Sequence, residues 1–463
     1  MLTPTSLPGV PTVTPIPSPT PRTPPMPIPT PVTPLIESYI VQAGDTLGGI
    51  SLAYDIPLDE LMALNGIDVD SAIIQVGQTL HVPLKVSRSG PLVTLLPDSE
   101  VVYSPAYVEF DTAAFIKSQG GYLANYSEMV NGVEIDAAQI VDRVARQFSV
   151  GPRVLLALLE YYGGWVTNLH PTDPSPLGPA CPYGDRLFLQ LSWAANRVNK
   201  GYYGYKQNGS IAVQFRDRSR AIVPPQMNAG TVGAQNVLAV NSNWELWLTE
   251  VKADGPFMQT YRRLFGDPFA KAVEPLVPID LSQPPLQLPW EKGRTFYFTG
   301  GPHAAYGSGS AWAALDFGPP DVLGSCYYST VPLTAVAGGQ IFLGSKGETY
   351  LDLDADGNLQ TGWVLLYLHM VADDALTQGQ IVQAGHPLGY ASCEGGISDS
   401  SHLHLARRYN GEWMAADGPA PMLLSGWRAK NGLAQYEGTL IKGGEVKEAC
   451  ECWDEEMNAL IAE

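Results

Sequence analysis

The periodicity of apolar residues changes sharply near residue 281, and this change limits the possible folds more than any other feature. Between about 104 and 280, stretches such as "DAAQIVDRVARQFSVGPRVLLALLEYYGGW" carry apolar residues at i, i+3 and i+4, which is typical of helices. From 281 to 445, short alternating runs separated by glycine-containing turns indicate antiparallel strands. A length of 463 residues suits two or three domains. The sequence therefore predicts a multidomain α+β protein with a helical domain at 104–280 and an antiparallel β-sheet domain at 281–445.

Three further segments lack the pattern of a packed domain. Residues 1–34 hold 13 of the 40 prolines and eight threonines, so residues 1–37 are predicted to be a disordered, extended linker. Residues 85–103 are predicted to be a second linker, and residues 446–463 a short acidic helical tail. Because stalks rich in proline and threonine occur mostly outside cells, we expect an extracellular or cell-envelope location. No signal peptide is visible, so we also expect a longer natural N-terminus that carries the signal or anchor.

The charge balance excludes one class of partner. The 27 Lys and Arg residues stand against 46 Asp and Glu residues, which gives a net charge of −19. Such a field repels a phosphate backbone, so nucleic acid is not an expected partner. The sequence contains no run of about 18 apolar residues, so no transmembrane segment is predicted.

Residues 38–84 have the pattern of a small βααβ unit. The segments "YIVQAGDTLGGIS", "ELMALNG" and "VGQTLHVP" closely resemble LysM modules. The resemblance implies binding to glycans that contain N-acetylglucosamine, such as peptidoglycan, in a groove between two loops. The residues expected to line that groove are Gly44, Asp45, Thr46, Leu47, Ile74 and Gln75. The alternative is a βααβ unit that has lost sugar binding.

Three segments of the helical region resemble, in order, the motifs of lysozyme-like lytic transglycosylases. They are "VGPRVLLALLEYYGGW", "LFLQLS" and "MNAGTVGAQNVLA", and they place Glu160 at the position of that family's catalytic acid. Gln190 and Asn228 fall in the supporting motifs. Tyr161 departs from the serine that usually follows the acid. Glu160 is therefore a candidate vestigial glycosidase acid, and a helical scaffold or a glycan-positioning domain is the main alternative.

Histidines concentrate in the β-sheet region, where five of the seven lie between residues 303 and 404. A hydrolytic zinc ion needs three protein ligands and one open position for water. Side chains at i and i+2 of a strand point to the same face, so His402 and His404 are expected to lie side by side. The ligand candidates are His303, Asp316, and one or both of His402 and His404.

The segments "GGPHAAYGSGSAWAALDF", "YLHM" and "CEGGISDSSHLHLARRYNG" resemble the LytM/lysostaphin zinc endopeptidases, and most of all their β-lytic, staphylolysin-like branch. The resemblance implies one Zn²⁺ ion bound by His303, Asp316 and His404. It implies that His402 is the general base or the group that orients the metal-bound water, and that His369 lines the same site and stabilises the oxyanion. Most of the wider family has its first histidine four residues before the aspartate, where this chain has Trp312. The β-lytic branch has it thirteen positions before, which matches His303 and Asp316.

Two smaller features complete the prediction. We expect a disulfide between Cys326 and Cys393 at the rim of the active site; the resemblance supports a bridge at Cys393 but places its partner elsewhere. The run "LDLDADGNLQ" has the spacing of the first half of a calcium loop, but position twelve is Trp363 rather than Glu, which favours a polar hairpin turn.

Together, these features predict a secreted or surface-tethered peptidoglycan hydrolase. LysM would anchor it to glycan, and a zinc endopeptidase would cleave cell-wall peptides. The alternatives are a non-catalytic LytM-like regulator of another wall hydrolase, or additional glycan cleavage by the helical domain.

Overall fold

A computed structural model describes residues 35–42, 44–54, 56–68, 73–84, 86, 88–173 and 175–463. The segment 1–34, most of the predicted N-terminal linker, lies outside these residues. The first folded unit has two strands and two helices in the order β1 (Leu35–Ile40), α1 (Leu47–Tyr54), α2 (Leu58–Leu64) and β2 (Thr79–Leu84). The strands pair antiparallel with Tyr39 opposite Leu80, and the unit has its own small apolar core. The βααβ order agrees with the sequence pattern.

The second unit is mainly helical, with two short β-hairpins. Its helices are α3 (Asp98–Val101), α4 (Thr112–Gln119), α5 (Ala137–Phe148), α6 (Pro152–Gly163), α7 (Leu187–Asn208), α8 (Ala229–Ala239), α9 (Trp244–Glu250) and α10 (Pro256–Phe265). The hairpins are formed by β3 (Ser127–Val130) with β4 (Val133–Asp136), and by β5 (Ala212–Gln214) with β6 (Arg220–Ile222). Within the described residues, no helix combines the length and apolarity that crossing a membrane requires.

Local sequence signals set the ends of the two central helices. Asp136 and Gln139 form a reciprocal capping box at the start of α5. Pro152 occupies the first turn of α6, where its missing N–H is not needed, and Gly164 ends that helix in the left-handed conformation at φ 65°. The residues from Pro152 to Glu160 of α6 are all buried, so α6 is the central helix of this unit.

The expected linker at 85–103 is wrong for its second half, which belongs to the helical core. Leu95 and Leu96 are buried, and both backbone amides lie within hydrogen-bond distance of the Thr231 hydroxyl on α8. Glu100 on α3 is 2% exposed and forms an ion pair of 2.5 Å with Arg153 on α6. The segment lacks helical periodicity because it packs through a few isolated anchor residues.

The third unit is built on a long, mainly antiparallel sheet. Its strands are β7 (Thr295–Ala304), β8 (Trp312–Gly318), β9 (Pro332–Thr334), β10 (Gly339–Leu343), β11 (Glu348–Asp352), β12 (Trp363–Leu368), β13 (Met370–Ala372), β14 (Ile381–Val382), β15 (Pro387–Ala391), β16 (Leu403–Tyr409), β17 (Glu412–Trp413), β18 (Leu423–Leu424), β19 (Trp427–Asn431), β20 (Gly438–Lys442), β21 (Glu445–Glu448) and β22 (Ala459–Ile461). The main sheet has the order β14-β10-β11-β12-β16-β8-β7-β22, and β17 pairs with β16. Strands β13, β15 and β9 form a second sheet, and β18 to β21 form a third.

The C-terminal segment is not the expected helical tail. Residues Ala459–Ile461 form β22, which pairs with β7 and closes one edge of the main sheet. Leu460 is completely buried in the core of this unit. The gain from burying this apolar side chain and pairing an edge strand outweighs the helical preference of a short acidic segment.

The two faces of the main sheet pack against different partners. Leu315, Leu365 and Leu405 point into the core of the third unit itself. Their strand neighbours Ala314 and Ala406 belong instead to the core that is shared with the helical unit. Because side chains alternate along a strand, residues two positions from Ala314 and Ala406 lie on the face toward the helical unit.

Candidate metal centre

Three adjacent strands bring the predicted ligands together on that face of the sheet. Asp316 on β8 and His404 on β16 are direct cross-strand partners. His303 lies near the end of β7, opposite Ala314, where the β7–β8 register shifts on both sides of Gly300. His303 therefore occupies a bulged strand. Gly300 is needed there because a Cβ atom would come within 2.6 Å of Asp316 Oδ2.

The three ligand atoms converge on one point. His303 Nε2 lies 3.3 Å from Asp316 Oδ1, His404 Nδ1 lies 3.2 Å from the same oxygen, and the two nitrogens are 2.9 Å apart. Tetrahedral zinc with bonds of 2.0–2.1 Å places neighbouring ligands about 3.3 Å apart. Asp316 Oδ1 is buried and accepts no hydrogen bond of ordinary geometry from the described residues. The donor set of two imidazoles and one carboxylate, with an orphaned carboxylate oxygen, fits a zinc ion.

Backbone carbonyls orient both ligand histidines. His404 Nε2 lies 2.9 Å from the Ala305 carbonyl oxygen, and His303 Nδ1 lies 2.8 Å from that of Gly301. A ring nitrogen next to a carbonyl must carry the proton, so the opposite nitrogen of each ring is free to bind a metal. This leaves His303 Nε2 and His404 Nδ1 as the metal-binding atoms.

His402 and His369 lie beside the three candidate ligands, and in both rings Nδ1 faces a backbone carbonyl. His402 Nδ1 lies 2.8 Å from the Ser400 carbonyl oxygen, and His369 Nδ1 lies 2.8 Å from that of Glu394. Their ring centroids are 4.7 Å apart, and His402 Nε2 lies 3.7 Å from Asp316 Oδ1. His369 has a φ of +58°, a strained conformation for a residue with a Cβ. The strain is consistent with a side chain held at a functional position.

Burial and the histidine cluster control the ionisation of this site. Burial alone would raise the pKa of Asp316, but the neighbouring His303 and His402 hold it well below the ordinary value. Burial, together with repulsion from His402 and His404, lowers the pKa of His369 to about 3. At neutral pH Asp316 is therefore ionised and His369 is neutral, with Nε2 unprotonated.

A disulfide between Cys326 and Cys393 lies next to the histidine pair. Its sulfurs are 2.06 Å apart, and it joins the loop after β8 to the segment before β16. The following residue, Glu394, provides the carbonyl that orients His369. The pairing inferred from the sequence is therefore present. Cys450 and Cys452 form a second disulfide that the sequence analysis did not predict, and Cys181 is buried with a free thiol.

Tyr436 is a site residue that the sequence analysis missed. Its ring stacks on His303 with a centroid distance of 4.2 Å and an interplanar angle of 21°. The neighbouring Gln435 accepts a hydrogen bond of 3.0 Å from the Ala304 amide through Oε1. No motif marks these residues, which reach the site only because the loop between β19 and β20 folds back over β7.

The residues expected to bind glycan lie in two loops of the first unit. Asp45 Oδ2 accepts hydrogen bonds of 2.7 Å from the Tyr39 hydroxyl and the Gln42 amide, and Thr46 Oγ1 accepts one from Gly49. Gly44, Thr46 and Gln75 are exposed, Ile74 is half-buried, and Leu47 is buried in the small core. The Asp45 carboxylate therefore shapes its loop, while the exposed backbone nearby is available to a ligand.

Glu160 is on α6, in the helical unit, and its carboxylate is fully occupied by donors. Oε2 accepts hydrogen bonds from the Val166 and Thr167 amides, and Oε1 accepts from the Thr167 hydroxyl and from Arg263. Gln190 is buried and its amide bonds backbone groups. Asn228 donates to the Leu96 carbonyl and to Asp98, so it anchors the segment before α3. These contacts favour a structural role for all three residues.

Comparison with known proteins agrees with this architecture. Residues 94–278 match the family described as "LasA, N-terminal domain", and residues 39–83 match the LysM domain. The chain is 27% identical over 332 residues to protease LasA of Pseudomonas aeruginosa strain UCBPP-PA14, covering 65% of this chain and 72% of that protein. Protease LasA of strain PAO1 is 26% identical over the same length. The chain is therefore similar to protease LasA, and its first unit is similar to LysM domains.

Two solved structures are also similar. The M23 metalloprotease pseudoalterin from the deep sea is 25% identical, and the match covers 37% of this chain and 96% of that one with a TM-score of 0.31. The catalytic domain of lysostaphin from Staphylococcus simulans is 20% identical over 27% of this chain and 89% of that one, with a TM-score of 0.19.

Proposed function

We propose that this chain is a LytM-type metalloendopeptidase that binds one Zn²⁺ ion through His303 Nε2, Asp316 Oδ1 and His404 Nδ1, and that it hydrolyses peptide bonds of peptidoglycan. The observation that carries the proposal is the convergence of these three atoms within 3.3 Å of one another. Three protein ligands leave a fourth position open, as hydrolytic zinc sites require. His402 and His369 lie next to the ligands and not among them, which suits groups that handle protons.

The two remaining histidines divide the proton chemistry between them. A zinc ion held here would supply a Lewis acid that lowers the pKa of water and polarises the scissile carbonyl. His402 turns Nε2 toward Asp316 while its Nδ1 faces the Ser400 carbonyl, so we assign it as the general base that takes the proton of the attacking water and returns it to the amine leaving group.

His369 receives a different role from the one that the sequence predicts. Stabilising an oxyanion requires a protonated Nε2, but its only proton in the neutral state is on Nδ1, facing the Glu394 carbonyl. A second proton is disfavoured because burial and the neighbouring histidines lower the pKa of His369 to about 3. We therefore assign His369 Nε2 as an acceptor that orients the attacking water.

The LysM domain favours an insoluble, glycan-containing substrate. A module that binds the glycan raises the local concentration of the peptidase on the wall without any new contact at the active site. A location outside the cytoplasm, at the cell envelope or beyond it, follows for an enzyme with this substrate. Stem peptides and cross-bridges of peptidoglycan are the substrate class that suits both glycan binding by the LysM domain and hydrolysis of peptide bonds.

Metal analysis together with wall digestion tests the proposal. The wild-type chain should contain one zinc per chain and release new amino termini from purified peptidoglycan, and His404→Ala should lose both properties. His386→Ala is the matched control, because His386 is a half-buried histidine of the same domain whose ring lies within hydrogen-bond distance of the Gln380 side chain and is not one of the proposed ligands. A His404→Ala protein that retains zinc and activity would refute the ligand assignment. Folded wild-type protein that binds no zinc and cleaves nothing would instead indicate a non-catalytic regulator.

A further inference from the structure

A second cluster of oxygen ligands lies at the loop between β11 and β12. Asp352 ends β11, and Asp354 and Asp356 follow in the connecting residues 353–362. One carboxylate oxygen from each of the three lies within 4.8 Å of the other two. Asp352 is only 2% exposed, whereas Asp354 and Asp356 are exposed. One buried and two accessible carboxylates therefore face a common point.

Two buried oxygens at this loop have no hydrogen-bond donor among the described residues. Asp352 Oδ2 accepts a bond of 3.1 Å from the Gly357 amide, but Asp352 Oδ1 is buried without a donor. The second is Gln340 Oε1, on the strand residue directly opposite Asp352. A Cβ atom on Gly357 would lie 3.5 Å from Gln340 Oε1, so this oxygen faces the loop. Buried acceptors without donors are costly unless a cation or water satisfies them.

The chemistry of these groups selects the kind of ion. Every available donor is an oxygen, and there is no histidine or cysteine in the cluster. Hard cations such as Ca²⁺ take six to eight oxygen ligands from carboxylates, amide carbonyls and water. The spacing of the three aspartates, with Gly357 at a φ of +82°, also matches the first six positions of a calcium loop. Trp363 occupies the position of the usual bidentate glutamate, and Gln340 on the neighbouring strand offers a replacement oxygen.

We propose that residues 352–356 and Gln340 form a calcium site that is separate from the zinc centre. The missing glutamate reduces the number of charged ligands, so we expect a dissociation constant of about 0.1–1 mM, the range of extracellular calcium modules. In this proposal, the polar hairpin turn expected from the sequence is the conformation of the loop without calcium. This proposal does not depend on the peptidase activity.

The ion would act on the junction with the helical unit. The Gly362 amide donates to Asn410 Oδ1, and the Asn410 side-chain amide donates to the Leu276 carbonyl in the segment that joins the two units. Gln360 of the same loop interacts with the Tyr103 side chain of the helical unit. Fixing the loop therefore stabilises contacts that cross between the two units.

Thermal unfolding of the full chain with CaCl₂ or MgCl₂ at constant ionic strength tests the site. At 10 mM Ca²⁺ we expect the Tm to rise by about 3–11 °C, since ligand binding stabilises by mass action and 1 kcal/mol corresponds to about 2–4 °C in a domain of this size. We also expect bound Tb³⁺ to show emission sensitised by the adjacent Trp363. The doubly substituted Asp354→Asn/Asp356→Asn protein should lose both signals, and it should fold because both side chains are exposed.

Asp280→Asn, which changes an exposed aspartate outside the cluster, is the control and should behave as the wild type. A wild-type Tm that does not respond to calcium, or a double variant that keeps the response, would overturn the proposal. An equal shift with Mg²⁺ would contradict a site selective for calcium.

Discussion

Substitution of Glu160 tests whether the helical unit has a structural role or a glycosidase activity. The Glu160 side chain is 4% exposed, and it accepts three hydrogen bonds from the loop that follows α6 and one from α10. A catalytic acid must present a free oxygen to its substrate, whereas both oxygens of Glu160 are occupied. We therefore expect Glu160 variants to lose stability and to leave wall-peptide cleavage unchanged.

The size of the effect follows from which donors lose their partner. The Val166 residue is buried, so its orphaned amide costs about 1–3 kcal/mol, while water can replace the partner of the exposed Thr167 amide. Loss of the Thr167 hydroxyl bond costs about 1 kcal/mol. The Arg263 side chain is 54% exposed, so solvent reduces the contribution of its ion pair to about 0–1 kcal/mol. Glu160→Ala should thus lower the free energy of unfolding by about 3 kcal/mol, and Glu160→Gln, which keeps one acceptor oxygen, by about 1–2 kcal/mol.

Differential scanning calorimetry and product analysis provide the measurements. Glu160→Ala should lower the Tm of the helical unit by about 6–12 °C, and the exposed Glu245→Gln should leave it unchanged. Mass spectrometry of digested peptidoglycan should show new amino termini for the wild type and both Glu160 variants. Anhydro-sugar ends that appear with the wild type and disappear with a fully stable Glu160→Gln protein would refute this reasoning and establish glycan cleavage.

Three further predictions concern the third unit. Cys326→Ser should lower the free energy of unfolding by about 4 kcal/mol in denaturant titrations, because the disulfide closes a loop with a sequence separation of 67; unchanged stability would show that the bridge does not form in solution. Tyr436→Ala should weaken zinc binding in competition titrations by about tenfold, because it removes the ring that fixes His303, whereas Tyr436→Phe should bind normally. Burial and the nearby Asp354 raise the pKa of Asp352 to about 7, so in calcium-free buffer the folded state holds a proton that the unfolded state releases near pH 4. Stability should then fall as the pH rises from about 4 to 7, and Asp352→Asn should remove this dependence in pH-dependent unfolding measurements.

The regular parts of the fold were predictable because their signals are local. The two-residue period of an extended chain places His402, just before β16, near His404 within it, and the same period puts Asp316 on the face that carries Ala314. The helical periodicity of α5 is equally strong, since its buried residues follow the apolar pattern closely, whereas α6 is buried on every side from Pro152 to Glu160. Such periods report which face of an element is buried, and they need no knowledge of distant residues.

The parts that could not be predicted depend on contacts between distant segments. The β-bulge around Gly300 changes the direction of His303, and a bulge leaves no periodic signal. Tyr436 reaches His303 across more than a hundred residues of chain. Strand β22 forms because β7 offers an open edge, and the sequence of residues 459–461 alone does not predict a strand.

The metal centre and the helical unit depend on a shared segment, residues 305–310. The Ala305 carbonyl orients His404, and Ala305 is completely buried in the core that both units share. Tyr306 packs its ring 5.1 Å from that of Phe148 on α5, and the Gly309 amide donates to Asn196 Oδ1 on α7. A Cβ atom at Gly309 would approach the Asn196 carbonyl oxygen to 2.2 Å, so this contact tolerates no other residue without movement. The orientation of His404 is therefore set partly by where α5 and α7 pack, and a change in that packing should alter the proposed metal site even though none of its proposed ligands lies in the helical unit.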